Sequence, residues 1–199
     1  MKNLKKFSYF AVIFAVIGMV ACNKSSDTAL NNPPIQKVTA EPAIEKIPIA
    51  KLTDKGIELL FLQRDVQECF AKENPGETLV FVEVQDDNKD GKDAGLLYRI
   101  YNEKEKVAET SISFVVTLEK GIYYAPTATS LQNAGGVGAT ITCTTDECAS
   151  EQYGCWPDGG RCTPCLNGGK CTKTVSSDLT HLTQLVNAVN YASSVYAMY

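Results

Sequence analysis

Six cysteines lie close together in the C-terminal third of this 199-residue chain, where their sulfur atoms can either pair or bind a metal. They are Cys143, Cys148, Cys155, Cys162, Cys165 and Cys171. The residues between them are mostly glycine, proline and polar types, with Trp156 as the largest apolar exception. Such a segment cannot bury enough apolar surface to fold on its own core. We therefore predict that three disulfides staple it, with the connectivity open among fifteen arrangements, and zinc or an iron–sulfur cluster is the alternative.

Cys22 stands apart from this cluster, directly behind an apolar run at residues 7–20 that follows Lys2, Lys5 and Lys6. The run suits a signal peptide better than a membrane span, and an uncleaved anchor helix is the alternative. Ala21-Cys22 resembles the lipobox of bacterial lipoproteins, although Met19 replaces the usual leucine. The resemblance implies cleavage after residue 21 and acyl chains on Cys22. Because the next residue is not aspartate, it also implies an outer-membrane lipoprotein, and an exported chain meets the oxidising conditions that favour disulfides.

Cys162 and Cys165 form a Cys-x-x-Cys pair, the spacing that redox proteins use to exchange disulfides. That chemistry requires a lowered thiol pKa, usually at the start of a helix within a β-α-β unit. The sequence predicts neither element here, so a structural role is favoured. An envelope thiol–disulfide or metal-dependent protein that uses this pair is the alternative function.

The segment from Pro164 to Thr172 contains Cys-Leu-Asn-Gly-Gly-Lys-Cys. It resembles the start of an EGF-like domain, which places four more cysteines downstream where this chain has none. We therefore interpret the segment as a tight turn, because asparagine and glycine tolerate the positive φ that a short disulfide loop requires.

An acidic loop offers a possible calcium site. Asp86, Asn88 and Asp90 alternate as oxygen donors, and Gly91 permits a sharp bend, as in the first half of an EF-hand-like loop. Leu97 stands where such a loop has its bidentate carboxylate, and the loop joins two predicted strands. A solvated hairpin turn is the alternative to a calcium-stabilised adhesion module.

Catalytic residues are not evident. His181 is the one histidine, and nothing near it in the sequence suggests a paired nucleophile. We predict a non-catalytic binding or structural role. The predicted protein has no cofactor, unless the acidic loop binds calcium.

The charge balance limits the partners. The chain has 19 Lys+Arg and 23 Asp+Glu, and removal of the three leader lysines changes the net charge from −4 to 16 − 23 = −7. Nucleic acid is excluded because it requires a basic surface. The expected partners are the membrane, through lipid on Cys22, and an envelope protein or an extracellular ligand.

The expected fold class is α+β: a small antiparallel sheet with one packed helix, then a disulfide-rich irregular module and a C-terminal helix. The predicted divisions are a signal peptide at 1–21, the lipidated cysteine and a flexible tether at 22–52, an α+β domain at 53–142, the cysteine-rich module at 143–174 and the helix at 175–199. Strands are predicted at 78–85, 96–101, 111–119, 121–125 and 137–143. An edge strand at the end of the tether is the alternative for its last residues.

Two helices are predicted from their apolar faces. Leu59, Leu62, Val66, Cys69 and Phe70 share one face of a helix that ends near residue 74. Cys69 is expected to be a buried free thiol, and pairing with a cysteine of the cluster is the alternative. The C-terminal stripe of Leu179, Leu182, Leu185, Val186 and Val189 is expected to dock on the sheet or the cysteine module. A partner-binding helix is the alternative.

Overall fold

Strands dominate the computed structural model of this chain, which describes residues 45–133, 139–151, 154–176 and 179–196. The predicted leader, Cys22 and most of the predicted tether lie outside the described residues. Within these ranges the strands form two antiparallel sheets and a separate two-stranded hairpin. The α+β prediction is confirmed, with more strand than expected. No helix in the described ranges is both long and apolar enough to span a bilayer.

The first sheet has four strands in the order β2-β1-β7-β6. Their bounds are β1 Lys46–Thr53, β2 Gly56–Leu59, β6 Thr117–Glu119 and β7 Ile122–Pro126. Strand β1 lies in the interior of this sheet and buries Ile47, Ile49 and Ala50. The prediction of a flexible tether to residue 52 is therefore wrong from residue 46 onward. The register shifts at Pro48, where proline lacks the N–H that a regular ladder needs.

The second sheet has five strands in the order β11-β8-β5-β4-β3. Their bounds are β3 Glu77–Gln85, β4 Gly95–Asn102, β5 Val107–Ser113, β8 Thr140–Thr145 and β11 Thr172–Ser176. Strands β8 and β11 flank the cysteine-rich segment, so that segment is an insertion within the sheet. The predicted boundaries at residues 142 and 174 therefore fall inside strands. The hairpin formed by β9 Pro157–Asp158 and β10 Arg161–Cys162 lies within the insertion.

One predicted strand, residues 111–119, is divided between the two sheets. Strand β5 ends at Ser113 and β6 begins at Thr117, and the Val115 N–H donates to the Ser113 carbonyl oxygen at 2.9 Å. This local turn takes the chain from the second sheet to the first, which the alternating pattern alone could not reveal.

Three helices complete the described part: α1 Gln63–Glu73, α2 Ala128–Asn133 and α3 Thr180–Tyr196. Helix α1 ends as predicted, and the Asn74 side-chain amide donates to the Phe70 carbonyl oxygen. Its start was placed too early, since Leu59 belongs to β2 and Leu62 is half-exposed.

The C-terminal helix α3 packs against α1, α2 and β1, so docking is confirmed, on helices and the first sheet rather than on the cysteine module. Leu182, Leu185, Val186 and Val189 are all buried in this packing. The partner-binding alternative is therefore not supported. Ser177 and Asp178, which precede the helix and are residue types that can cap a helix start, lie outside the described residues.

Candidate functional site

Three disulfides staple the insertion, as predicted. They join Cys143 to Cys162, Cys148 to Cys165 and Cys155 to Cys171. In chain order the pairing is first to fourth, second to fifth and third to sixth, so each closed loop overlaps both others. The bonds close intervals of 19, 17 and 16 residues, and each should stabilise the fold by about 3 kcal/mol through its effect on the unfolded chain.

Cys162 and Cys165 belong to two different disulfides. A redox Cys-x-x-Cys pair cycles between a dithiol and its own internal disulfide, so this pairing does not favour that chemistry. The sulfurs of Cys143, Cys162 and Cys171 lie within 4.8 Å of one another, and in the described ranges no other group of three histidine, cysteine or carboxylate side chains is as close. All three are engaged in disulfides, and a disulfide sulfur is not the thiolate ligand that zinc requires.

Cys69 in α1 was expected to be a buried free thiol, and this prediction is wrong in one respect. The residue is buried, with 1% of its surface exposed, but it is disulfide-bonded, and no described cysteine is free. The six cysteines of the insertion pair among themselves, so none of them is its partner. Counting the cysteines of the insertion could not reveal this bond.

Arg99 attaches the insertion to the second sheet. It lies in β4 with only 2% of its surface exposed. Its guanidinium donates to the Thr110 hydroxyl at 2.6 Å, and to the carbonyl oxygens of Gly154 at 3.1 Å and Ala149 at 3.2 Å. Burial lowers the pKa of Arg99, opposed by the charge of Glu151, but an arginine remains protonated throughout the ordinary pH range. The buried cation therefore fixes the backbone of the insertion against the sheet.

An aromatic stack makes a second contact between the insertion and the sheet. The rings of Phe81 in β3 and Trp156 are 5.1 Å apart and inclined by 22°. Phe81 pairs with Arg99 across the strands, so both side chains lie on the same face of the sheet. Glu151 in turn accepts hydrogen bonds from the Leu166 N–H and the Asn167 amide. The turn predicted at the Asn-Gly-Gly segment is confirmed by the hydrogen bond from the Gly168 N–H to the Cys165 carbonyl oxygen.

A cleft of about 310 Å³ opens between the hairpin and the acidic loop. Ile112 and Ile141, paired neighbours on β5 and β8, form its apolar floor, and Phe114 is 39% exposed at its rim. Asn88 and three carboxylates, Asp87, Asp93 and Asp158, line the walls with Pro157, Gly159 and Gly160. Among the described lining residues the charged side chains are all carboxylates, and no lysine or arginine is among them.

The walls of this cleft come from distant parts of the sequence. Asp87 and Asp93 follow β3, whereas Asp158 belongs to the hairpin in the insertion. Lys173 donates to the Gly160 carbonyl oxygen at 2.5 Å and holds the hairpin turn beside β11. The spacing of residues in the sequence could not predict that the acidic loop and the hairpin lie side by side, because Arg99 and the disulfides bring them together.

The acidic loop itself is anchored by Asp86. This residue is 5% exposed, and its Oδ2 accepts hydrogen bonds from the Gly91 N–H at 2.9 Å and from the Tyr123 hydroxyl at 3.0 Å. Burial, and then the hydrogen bond to Asp86, raise the pKa of Tyr123 to about 12. The phenol therefore remains neutral and continues to donate at high pH.

Tyr123 gives a testable dependence of stability on pH. A raised folded pKa means that its contribution is complete below pH 10, near the ordinary tyrosine pKa, and is lost as the pH rises towards about 12. We expect the free energy of unfolding to fall over that interval, and to fall less steeply in Tyr123→Phe. At pH 8 the variant should be about 1 kcal/mol less stable, because Asp86 loses a donor. Urea unfolding at several pH values measures both effects, and equal slopes in the two proteins would contradict the assignment.

His181 lies between two carboxylates at the start of α3. Its Nε2 is 3.3 Å from Glu77 Oε2, and its Nδ1 is 3.8 Å from Glu109 Oε2. Each nitrogen contacts a different glutamate, so the arrangement joins α3 to the start of β3 and to β5.

Comparison with known proteins gives no precedent for this arrangement. No protein-family model matches the chain, and neither a curated protein nor a solved structure resembles it significantly.

Proposed function

We propose that this protein is an exported, lipid-anchored binding protein of the cell envelope, and that its cleft binds a cationic group attached to an apolar body. The observation that carries the binding proposal is the cleft, in which three carboxylates surround an isoleucine floor. A lysine or arginine side chain next to an aromatic or aliphatic one, as in a segment of another envelope protein, satisfies both halves. The volume of the cleft is at the lower end of the range for ligand sites.

Contacts that hold both walls of the cleft in place support a binding role. The hairpin is held by disulfides and the Lys173 contact, and the loop by Asp86, so the carboxylates are positioned before a ligand arrives. Neither His181 nor any disulfide-bonded cysteine of the insertion lines the cleft.

A short peptide tests the cleft. We would titrate acetyl-Lys-Phe-Lys-Phe-amide into the full-length protein in EDTA and follow the fluorescence of Trp156, the one tryptophan of the chain. Trp156 lines a second, neighbouring pocket, and Pro157 and Asp158 line both that pocket and the cleft. Binding of the peptide should therefore change the fluorescence. We expect binding to weaken as salt is added, because the carboxylates are partly exposed. Acetyl-Glu-Phe-Glu-Phe-amide should not bind.

Matched triple variants separate the cleft from the net charge. Asp87→Asn, Asp93→Asn and Asp158→Asn together should weaken binding about tenfold, at roughly 0.5 kcal/mol for each exposed charge pair. Asp54→Asn, Glu58→Gln and Glu105→Gln change the net charge equally at exposed positions elsewhere and should have less than a twofold effect. Equal losses in the two variants would show that the peptide responds only to overall charge.

The lipid anchor is a separate part of the proposal and rests on the lipobox-like segment. The three disulfides support export, because such bonds persist in oxidising compartments. In a bacterial host, radioactive palmitate should label the wild-type protein but not Cys22→Ser. Cys22 is the one cysteine of the sequence outside the described ranges. Within one chain Cys22 is also the one cysteine left to pair with Cys69, and one sulfur cannot carry both an acyl chain and a disulfide. Peptide mapping therefore decides between the anchor and that bond. The proposal predicts acyl chains on the Cys22 peptide, and a disulfide-linked Cys22 peptide would contradict it.

A further inference from the structure

A buried carboxylate oxygen of Asp86 lacks a partner. Both recorded hydrogen bonds to its carboxylate, from Gly91 and Tyr123, end on Oδ2, whereas Oδ1 is shielded from solvent without a hydrogen bond. A buried acceptor without a donor or a cation costs free energy, and most such groups in proteins are satisfied. This oxygen therefore requires either a water molecule or a cation.

The carboxylate of Asp86 is turned into the loop that follows it. The Gly91 N–H, five residues later, donates to it at 2.9 Å, so the loop closes around this side chain. Gly91 has a φ of +76°, and a Cβ at this position would lie 2.5 Å from Leu118 Cβ. Glycine is thus required for the loop to close against β6. Asn88 and Asp90 stand at the alternate positions that follow Asp86 in the loop, and both carry side-chain oxygens.

The loop carries an excess of negative charge and one competing cation. Residues 86–93 contain four aspartates and two lysines, a net charge of −2. The Lys92 ammonium lies 3.0 Å from Asp90 Oδ2, and the Lys92 N–H donates to Asp90 Oδ1. Its side chain is 81% exposed, so the ammonium can leave Asp90 at little cost.

We propose that this loop binds Ca²⁺ through Asp86, Asn88 and Asp90, and that Lys92 competes with the ion for Asp90. Oxygen donors in an irregular loop suit Ca²⁺ better than Mg²⁺, which demands near-octahedral geometry. The position of the usual bidentate carboxylate is occupied by Leu97, which is 1% exposed in β4. Solvent then completes the coordination, and we expect a dissociation constant on the order of 0.1–1 mM, as in extracellular modules.

Calorimetry and thermal melting of the full-length protein test this site. After dialysis against EDTA, CaCl₂ should bind at one site, and the melting temperature should rise with calcium concentration, because the ion binds the folded state. MgCl₂ at the same concentration should raise it less. Asp90→Asn should weaken calcium binding several-fold, and Lys92→Met should strengthen it. Asp54→Asn, which removes an exposed carboxylate from the turn between β1 and β2, is the matched control and should bind as the wild type does.

Two results would overturn the proposal. An unchanged melting temperature and no binding heat up to about 10 mM calcium would assign Asp86 Oδ1 to a water molecule. Calcium binding that is equal in Asp90→Asn and in the wild type would place the ion elsewhere. Because the peptide titrations contain EDTA, failure of the calcium site and failure of the cleft are distinguishable.

Discussion

Replacement of Arg99 by methionine should reduce the free energy of unfolding by about 3–5 kcal/mol. Methionine fills much of the space but leaves the Thr110 hydroxyl and the carbonyl oxygens of Gly154 and Ala149 without their buried donor. Loss of one partner of a buried charged network costs this much because the remaining polar groups stay desolvated. Since the free energy of unfolding of a small domain is only about 5–15 kcal/mol, this substitution should remove a large part of it. Urea unfolding followed by far-UV circular dichroism measures the difference.

Arg64→Met is the matched control for this prediction. Arg64 lies on α1 with a side chain that is 75% exposed, and it pairs at the surface with Asp65 and Glu68. Its replacement should change stability by less than about 0.5 kcal/mol. Similar losses in the two variants would mean that Arg99 does not hold the insertion on the sheet.

Removal of the Cys148–Cys165 disulfide, by the double substitution Cys148→Ala and Cys165→Ala, should cost about 3 kcal/mol. The bond closes an interval of 17 residues, and the unfolded chain gains conformational freedom without it. Both cysteines are almost fully buried, so the lost sulfur contacts add to the cost. Urea unfolding compares the variant with the wild type, and a loss below about 1 kcal/mol would contradict a stapling role.

This disulfide should also be coupled to Arg99. Cys148 and Ala149 lie beside each other, and both carbonyl oxygens face the Arg99 guanidinium, at 3.5 and 3.2 Å. The effects of Arg99→Met and of disulfide removal should therefore be less than additive by at least about 0.5 kcal/mol. In combination with Arg64→Met, disulfide removal should be additive. Full additivity in both cycles would show that the bond and the arginine act independently.

The sequence predicted the chemistry of the insertion but not its arrangement. The insertion is rich in turn residues and has no apolar core of its own, so it requires covalent cross-links to fold. This requirement is the same whichever cysteines pair. The pairing could not be predicted because spacing does not say which sulfurs meet in space. Arg99 was missed, although it left a signal: it is the one charged residue in the apolar strand Leu-Leu-Tyr-Arg-Ile-Tyr. An arginine at such a position must find acceptors when the strand is buried.

The folded region begins earlier than predicted, at β1, for a different reason. Pro48 and its neighbouring prolines suggested a tether, whereas the alternation of Ile47 and Ile49 on either side of it was the better guide. A proline is compatible with an interior strand where the register shifts, as it does here. The cleft could not be predicted at all, because its acidic walls come from the loop after β3 and from the hairpin of the insertion.

The central claim is that the cleft between the acidic loop and the hairpin binds a cationic, partly apolar ligand. Nuclear magnetic resonance locates binding directly. We would titrate the ¹⁵N-labelled full-length protein with acetyl-Lys-Phe-Lys-Phe-amide in EDTA and follow each backbone amide. We expect saturable shifts concentrated at five residues that line the cleft: Asp87, Phe114, Ile141, Asp158 and Gly159. The absence of shifts at millimolar peptide, or shifts concentrated on α3 and the first sheet, would contradict it.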